Sequence, residues 1–261
     1  MVVFFDIDGT IIDEKTQQIP ESAVKAIKKL SLNGHIPVVN TGRPYSHLDP
    51  RVLSMDFRGW VCGCGMDIRL NGEQIYRAAP DAELCRYSVG CVERFGMLPI
   101  YEAENGIVYM DRLRDGHPYI DKERRVMRQK GCTVADINDV PEPVFQKFVT
   151  FDGPGCDRAG FIAAMEPYYT CTVRDGSLLE MVLKGCSKAQ GMEYFLRYLG
   201  IGRGQVLAVG DSTNDLPMFS IAAHTVCLGD GMEELKAAAE YVTAPVLEDG
   251  LQKALAHYGL I

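Results

Sequence analysis

Hydrophobic positions along this chain fall into short unbroken runs rather than alternating with polar ones. Val2–Phe5 is the first, stopping abruptly at Asp6; others lie at His35–Val39, Trp60–Cys62, Val206–Val209, Thr225–Leu228 and Tyr241–Val242. A continuous apolar run of this length, bounded by turn residues, predicts a strand covered on both faces. Between the runs the period changes to that of a helix. Ala23, Val24, Ile27 and Leu30 mark an amphipathic helix over 21–33 with Gly34 behind it. A second helix runs from Lys188 to about Leu199, with Ser187 as N-cap and Gly200 as its stop. Strands alternating with helices predict an α/β fold, a doubly wound parallel (Rossmann-like) sheet.

The middle of the chain follows another rhythm. A helix over 82–95 precedes strands near 98–101 and 106–110, and a charged helix lies around 119–129. Then come a strand over 144–151, a helix near 159–165, and strands near 171–173 and 178–182 separated by the hairpin signal Arg174-Asp175-Gly176-Ser177. This region predicts an α+β domain over 81–183, inserted into a core made of 1–80 and 184–261. Asn71-Gly72 marks a tight turn just before the insertion.

Composition narrows the options without choosing among them. The 261 residues are 47% hydrophobic and 24% charged, ordinary for a globular protein with a sizeable core. A formal charge of −8 argues against a nucleic-acid or anionic-membrane surface, both of which need clustered positive charge. A small phosphorylated substrate is compatible with it. No apolar run approaches transmembrane length. A strand beginning at Val2 leaves no room for a signal peptide, so a cytoplasmic location is expected. The nine cysteines suit a reducing compartment: Cys62 and Cys64 have no second pair at zinc-ligand spacing, and Cys85 and Cys91 read as small core residues on a helix. The five histidines form no metal signature, and neither a Walker loop nor a Gly-x-Ser-x-Gly elbow occurs.

The chemistry sits at the strand ends. Phe5-Asp6-Ile7-Asp8-Gly9-Thr10 delivers two carboxylates, one residue apart, to the carboxyl end of the first strand, where open α/β sheets bind ligands. Carboxylates this close raise one another's pKa unless a cation lies between them, and hard oxygen ligands suit Mg²⁺. Asp and Gly also dominate ordinary turns, so the run alone is compatible with an Asp-rich turn. Asn40-Thr41-Gly42-Arg43 ends the second strand, offering a hydroxyl and close N–H donors to a phosphate oxygen. Lys188 occupies a first helical turn, where a cation opposes the helix dipole unless an anion is near. Gly210-Asp211-Ser212-Thr213-Asn214-Asp215 follows the strand over 206–209; each of its polar residues also makes a good helix cap.

In this order the four segments resemble the motifs of the haloacid-dehalogenase-like phosphatases, and the Gly-Asp-Ser-x-Asn-Asp-Leu-x-Met segment resembles the Cof-type branch. The likeness runs through nearly the whole chain, with 236–245 and 248–251 similar to the family's final strand and closing helix. It implies that Asp6 is the nucleophile and Asp8 the general acid and then base. It also implies that Asp6, Asp211, Asp215 and the Asp8 carbonyl surround Mg²⁺, with Asp215 either orienting metal-bound water or joining the coordination shell. Thr41, Gly42, Lys188 and Asn214 would hold the phosphoryl oxygens, Arg43 would face the substrate or the inserted domain, and Thr10 would steady the loop around Asp8. The inserted α+β domain corresponds to the family's cap. Two departures stand out: Asn40, where many relatives carry a small apolar residue, and Cys64, where relatives often carry Asn before Gly65.

The resulting expectation is a Mg²⁺-dependent phosphatase of a small phosphorylated metabolite, most plausibly a hexose phosphate, acting through an aspartyl-phosphate. A phosphomutase using the same Asp pair and a non-catalytic sugar-phosphate sensor are the alternatives, the latter disfavoured because a pure binder has no need of Asp8 beside Asp6. Neither the substrate nor the oligomeric state leaves a readable motif.

Overall fold

A computed structural model describes residues 1–111, 118–129, 132–173, 176 and 178–261. In chain order the elements are β1 (Val2–Phe5), α1 (Glu21–Leu32), β2 (Ile36–Asn40), α2 (Pro50–Leu53), β3 (Gly59–Cys62), β4 (Asp67–Leu70) and β5 (Glu73–Arg77). There follow α3 (Ala82–Arg94), β6 (Leu98–Glu102), β7 (Ile107–Met110), α4 (Pro118–Gln129), β8 (Thr133–Asp136), β9 (Lys147–Phe151), α5 (Arg158–Met165), β10 (Tyr169–Val173) and β11 (Leu179–Leu183). The chain ends with α6 (Lys188–Leu199), β12 (Val206–Gly210), α7 (Leu216–Phe219), β13 (His224–Cys227), α8 (Glu233–Ala238), β14 (Tyr241–Val242) and α9 (Gly250–His257). These form two compact units, one of Met1–Gly42, Pro50–Arg77 and Ser187–Ile261, the other of Arg43–Asp49 and Ala78–Cys186.

The first unit holds an eight-stranded sheet in the order β14-β13-β12-β1-β2-β3-β4-β5. The six strands from β14 to β3 are parallel, and β1 lies between β12 and β2. Every residue of β1 is buried, as an unbroken apolar run on a sheet covered on both faces requires. Phe4 meets Phe195 of α6 edge-on, with centroids 5.8 Å apart, in a core that also contains Val2, Val38, Val61, Met192 and Leu196. This contact anchors α6 on the sheet and so fixes where its first residue, Lys188, begins.

Two details depart from the sequence reading of this unit. Val24 is 41% exposed, and Ala26 joins Ala23, Ile27 and Leu30 in the buried stripe of α1, because Val24 lies at the stripe's margin. The sheet is also extended by the antiparallel hairpin β4–β5, whose turn holds Asn71 and Gly72 at positive φ. Those strands lack an apolar signature: buried Asp67 receives the Arg69 guanidinium at 3.1 Å and the Gln74 amide at 2.9 Å.

The second unit is a six-stranded sheet, β10-β11-β9-β6-β7-β8, antiparallel except between β7 and β8. One cluster packs Cys85, Cys91 and Phe161 of α3 and α5 against Tyr101, Phe148 and Tyr169, while Ile120 of α4 packs with Leu98, Ile100, Val108 and Met110. β8 had no distinct pattern in the sequence. The turn residues Arg174, Asp175 and Ser177, and His117, lie outside the described residues.

Candidate active site

Register decides what meets at the centre of the first unit. Phe5 pairs with Val209 on one side and Val39 on the other, so Asp6, Asn40 and Gly210 follow at the same level on three adjacent strands. The Asp6 N–H donates to Val209 O at 3.0 Å, and the Thr41 N–H donates to Val61 O at 2.9 Å, carrying the pairing one step past the strands. The chain then turns at Gly9, whose φ is +76° and where an added Cβ would collide with the Asp211 carboxylate. Gly210 makes room in the same way for the carboxylate of Asp215.

Into this space α6 brings Lys188 from behind. Ser187 caps the helix, its hydroxyl accepting the Gln190 N–H at 3.1 Å, and Gly200 closes it in the left-handed region. The Lys188 ammonium is buried, 2.8 Å from Asp6 Oδ1 and 2.6 Å from Asp215 Oδ1. Asp215 Oδ2 accepts the N–H groups of Asp211 at 3.0 Å and Ser212 at 3.3 Å. Asp211 Oδ1 accepts the Thr10 hydroxyl at 3.0 Å. Thr10 therefore steadies Asp211, a partner other than the Asp8 loop expected from sequence.

Three buried carboxylates and one ammonium leave a surplus of negative charge. Burial, with further push from Asp215 and Asp8, lifts Asp6 to about 7 even though Lys188 pulls the other way. Burial and the charges of Asp6 and Asp215 lift Asp211 to about 8. Lys188 is driven above its ordinary value: burial opposes its charge, but Asp215 and Asp6 outweigh that. Oxygens of Asp6, Asp211 and Asp215 lie within 4.8 Å of one another, a hard donor set that can hold a metal ion. Both oxygens of Asp215 are already engaged, whereas Asp6 and Asp211 each keep one oxygen directed to neither Lys188 nor Thr10. Those two fit direct coordination, and Asp215 fits the role of orienting what surrounds it.

The remaining residues fall around this cluster unevenly. Asp8, half-buried, is close enough for its charge to act on Asp6. Thr41 is buried at the end of β2, and Gly42 follows it. Asn214 stands in the turn Thr213–Asp215, its carbonyl accepting the Ser212 hydroxyl at 2.7 Å, which leaves its amide NH₂ as a donor. Arg43 belongs to the second unit. Cys64 adopts φ +56° between Gly63 and Gly65, both also at positive φ, and its N–H donates to Thr41 O at 3.1 Å. That conformation suits Asn better than most residues.

Known proteins are similar to this chain over nearly its whole length. A 5-amino-6-(5-phospho-D-ribitylamino)uracil phosphatase of Bacillus subtilis, YcsE, is 34% identical over 270 residues, covering 99% of this chain and 96% of its own. The chain spans only 46% of an Arabidopsis thaliana relative named endoribonuclease YBEY, chloroplastic, at 25% identity. Among solved structures, phosphatase BT1666 of Bacteroides thetaiotaomicron superposes with a TM-score of 0.84 at 26% identity, covering 100% of this chain and 95% of that one. The subclass IIB sugar phosphatase BT4131 gives 0.77 at 25% identity, with coverage of 100% and 99%. The family profile matches residues 3–255, and the chain belongs to the haloacid dehalogenase-like hydrolases.

Proposed function

We propose that this protein is a Mg²⁺-dependent phosphoric monoester hydrolase of small phosphorylated metabolites. The observation that carries the reading is Asp6 at the end of β1, 2.8 Å from the Lys188 ammonium and beside Asp211 and Asp215. A carboxylate so placed is held in position and partly neutralised, which phosphoryl transfer chiefly demands.

A carboxylate oxygen of Asp6 attacks phosphorus, forming an aspartyl-phosphate, an acyl phosphate, as the bond to the leaving oxygen breaks. Asp8 gives its proton to that oxygen, then takes one from the water that hydrolyses the acyl phosphate. Lys188, the Thr41 hydroxyl and the Asn214 amide supply donors to the equatorial oxygens. Bound between Asp6 and Asp211, Mg²⁺ would neutralise charge shared by the nucleophile and the phosphoryl group.

Hexose phosphates are the first substrates to test, supported by the likeness to a sugar phosphatase. The relative YcsE adds a phosphorylated ribityl compound to the panel. Leaving-group selection we assign to the second unit, the proposed cap, because the first unit's site residues all address the phosphoryl group and the metal. Hydrolysis of an aryl phosphate with Mg²⁺, lost in Asp6→Asn, tests the reaction; wild-type turnover that persists in excess chelator would refute it.

A further inference from the structure

Asn40 is fully buried at the last position of β2, immediately before Thr41. Its amide Nδ2 donates to the main-chain carbonyl of Lys188 at 3.1 Å, across 148 residues of sequence. A helical carbonyl has two lone pairs, so this bond coexists with the one the helix makes. The amide's other atom tells more. Asn40 Oδ1 is buried with no hydrogen-bond partner. Turning the amide over would set Oδ1 against the Lys188 carbonyl, so the donor orientation is fixed.

A buried amide that satisfies only half its capacity is a poor choice for stability alone, since an apolar side chain of the same shape would lose one bond but strand no acceptor. We infer that Asn40 is a positioning residue: by holding the Lys188 carbonyl it sets where the Lys188 ammonium stands between Asp6 and Asp215. The inference rests on the reaction proposed above. Ser187 fixes the same helical turn from the N-terminal side, so the backbone of Lys188 is held both by its cap and by the strand that carries Thr41. The two groups that approach the phosphoryl oxygens from different elements thereby share one anchor. Displacements near 1 Å in such an arrangement cost up to about a hundredfold in rate.

Asn40→Leu keeps the shape and removes both the donor and the stranded acceptor. Activity and stability should then separate. The melting temperature is expected to stay level or rise, while kcat for an aryl phosphate falls about 10- to 100-fold and KM changes less than about threefold. Because Asn40 acts through Lys188, the same change in a Lys188→Met background should add no further loss. Asn40→Ala, a smaller perturbation, should show the same split if the leucine variant folds poorly. Loss of kcat in proportion to a fall in melting temperature would overturn the inference, as would kcat within twofold of wild type, or a full additional loss in the Lys188→Met background. Failure of the parent reading looks different: Asp6→Asn would then keep its turnover whatever Asn40 does.

Discussion

Each unit buries one lysine between two carboxylates, and the two clusters are built to different ends. In the first, Lys188 lies 2.8 Å from Asp6 and 2.6 Å from Asp215, with Asp211 close by. In the second, Lys147 lies 2.6 Å from Glu180 and 3.7 Å from Glu102, and His47 Nδ1 stands 3.6 Å from Glu102. Burial pushes Glu102 up, yet the Lys147 charge and the His47 contact outweigh it and hold the carboxyl below its ordinary value. Asp6 and Asp211 move the other way, to about 7 and about 8. Proximity to a lysine therefore does not separate an active cluster from a structural one. The balance of buried charge does: the second cluster sets two carboxylates against Lys147, while the first sets three against Lys188 and is left wanting a cation.

The largest effects should come from the acids of the first cluster. Asp6→Asn should lower turnover by at least about a thousandfold with a circular-dichroism spectrum like wild type, since volume and shape barely change. Asp8→Asn should be severe for alkyl phosphates and milder for aryl phosphates, whose leaving oxygens need less protonation; equal losses on both would remove the acid role. Next is Lys147→Met, which takes the shared ammonium away from Glu180 and Glu102 and should cost about 3–5 kcal/mol in chemical denaturation. A loss below about 1 kcal/mol would mean that the second cluster is no more than a surface-like pair.

Acidity sharpens the same contrast. Asp6 and Asp211 have folded-state values above the ordinary 3.8, so the folded protein binds more protons than the unfolded chain from about pH 4 to about pH 8. Their contribution to stability in the metal-free protein is therefore present at low pH and lost as pH rises through 7 and 8. A divalent cation relieves the ionised carboxylates. The rise in melting temperature from chelator to Mg²⁺ should accordingly be greater at pH 8 than at pH 6, and an equal rise at both would show that these acids are not its origin. The smallest effect belongs to Cys64→Asn, which relaxes a left-handed residue in the loop beside Thr41 and should stabilise by about 0.5–1 kcal/mol, read as a higher denaturation midpoint with an unchanged slope.

Much of the first unit was legible in the chain itself. An apolar strand cut short by Asp6, a serine cap before Lys188 and a glycine stop after α6 are local codes, each enforced within a few residues by burial or by backbone hydrogen bonding. Asp6 and Asp211 could be singled out for the same reason, since each follows directly on its strand, whereas the roles of Asp8 and Asp215 came only from the family resemblance. The hairpin β4–β5 was hidden because its strands are joined through the polar Gln74–Asp67 contact and show no period-two pattern. Register across β12, β1 and β2 decided what no local pattern contains: that Asp6, Asn40 and Asp211 share one end of the sheet, that Thr10 serves Asp211, and that Asn40 reaches Lys188. Sequence determined which residues carry charge and where each strand ends. Only the tertiary structure decided how much of that charge is buried and unbalanced, because desolvation and Coulomb energy depend on distances between residues that lie far apart along the chain.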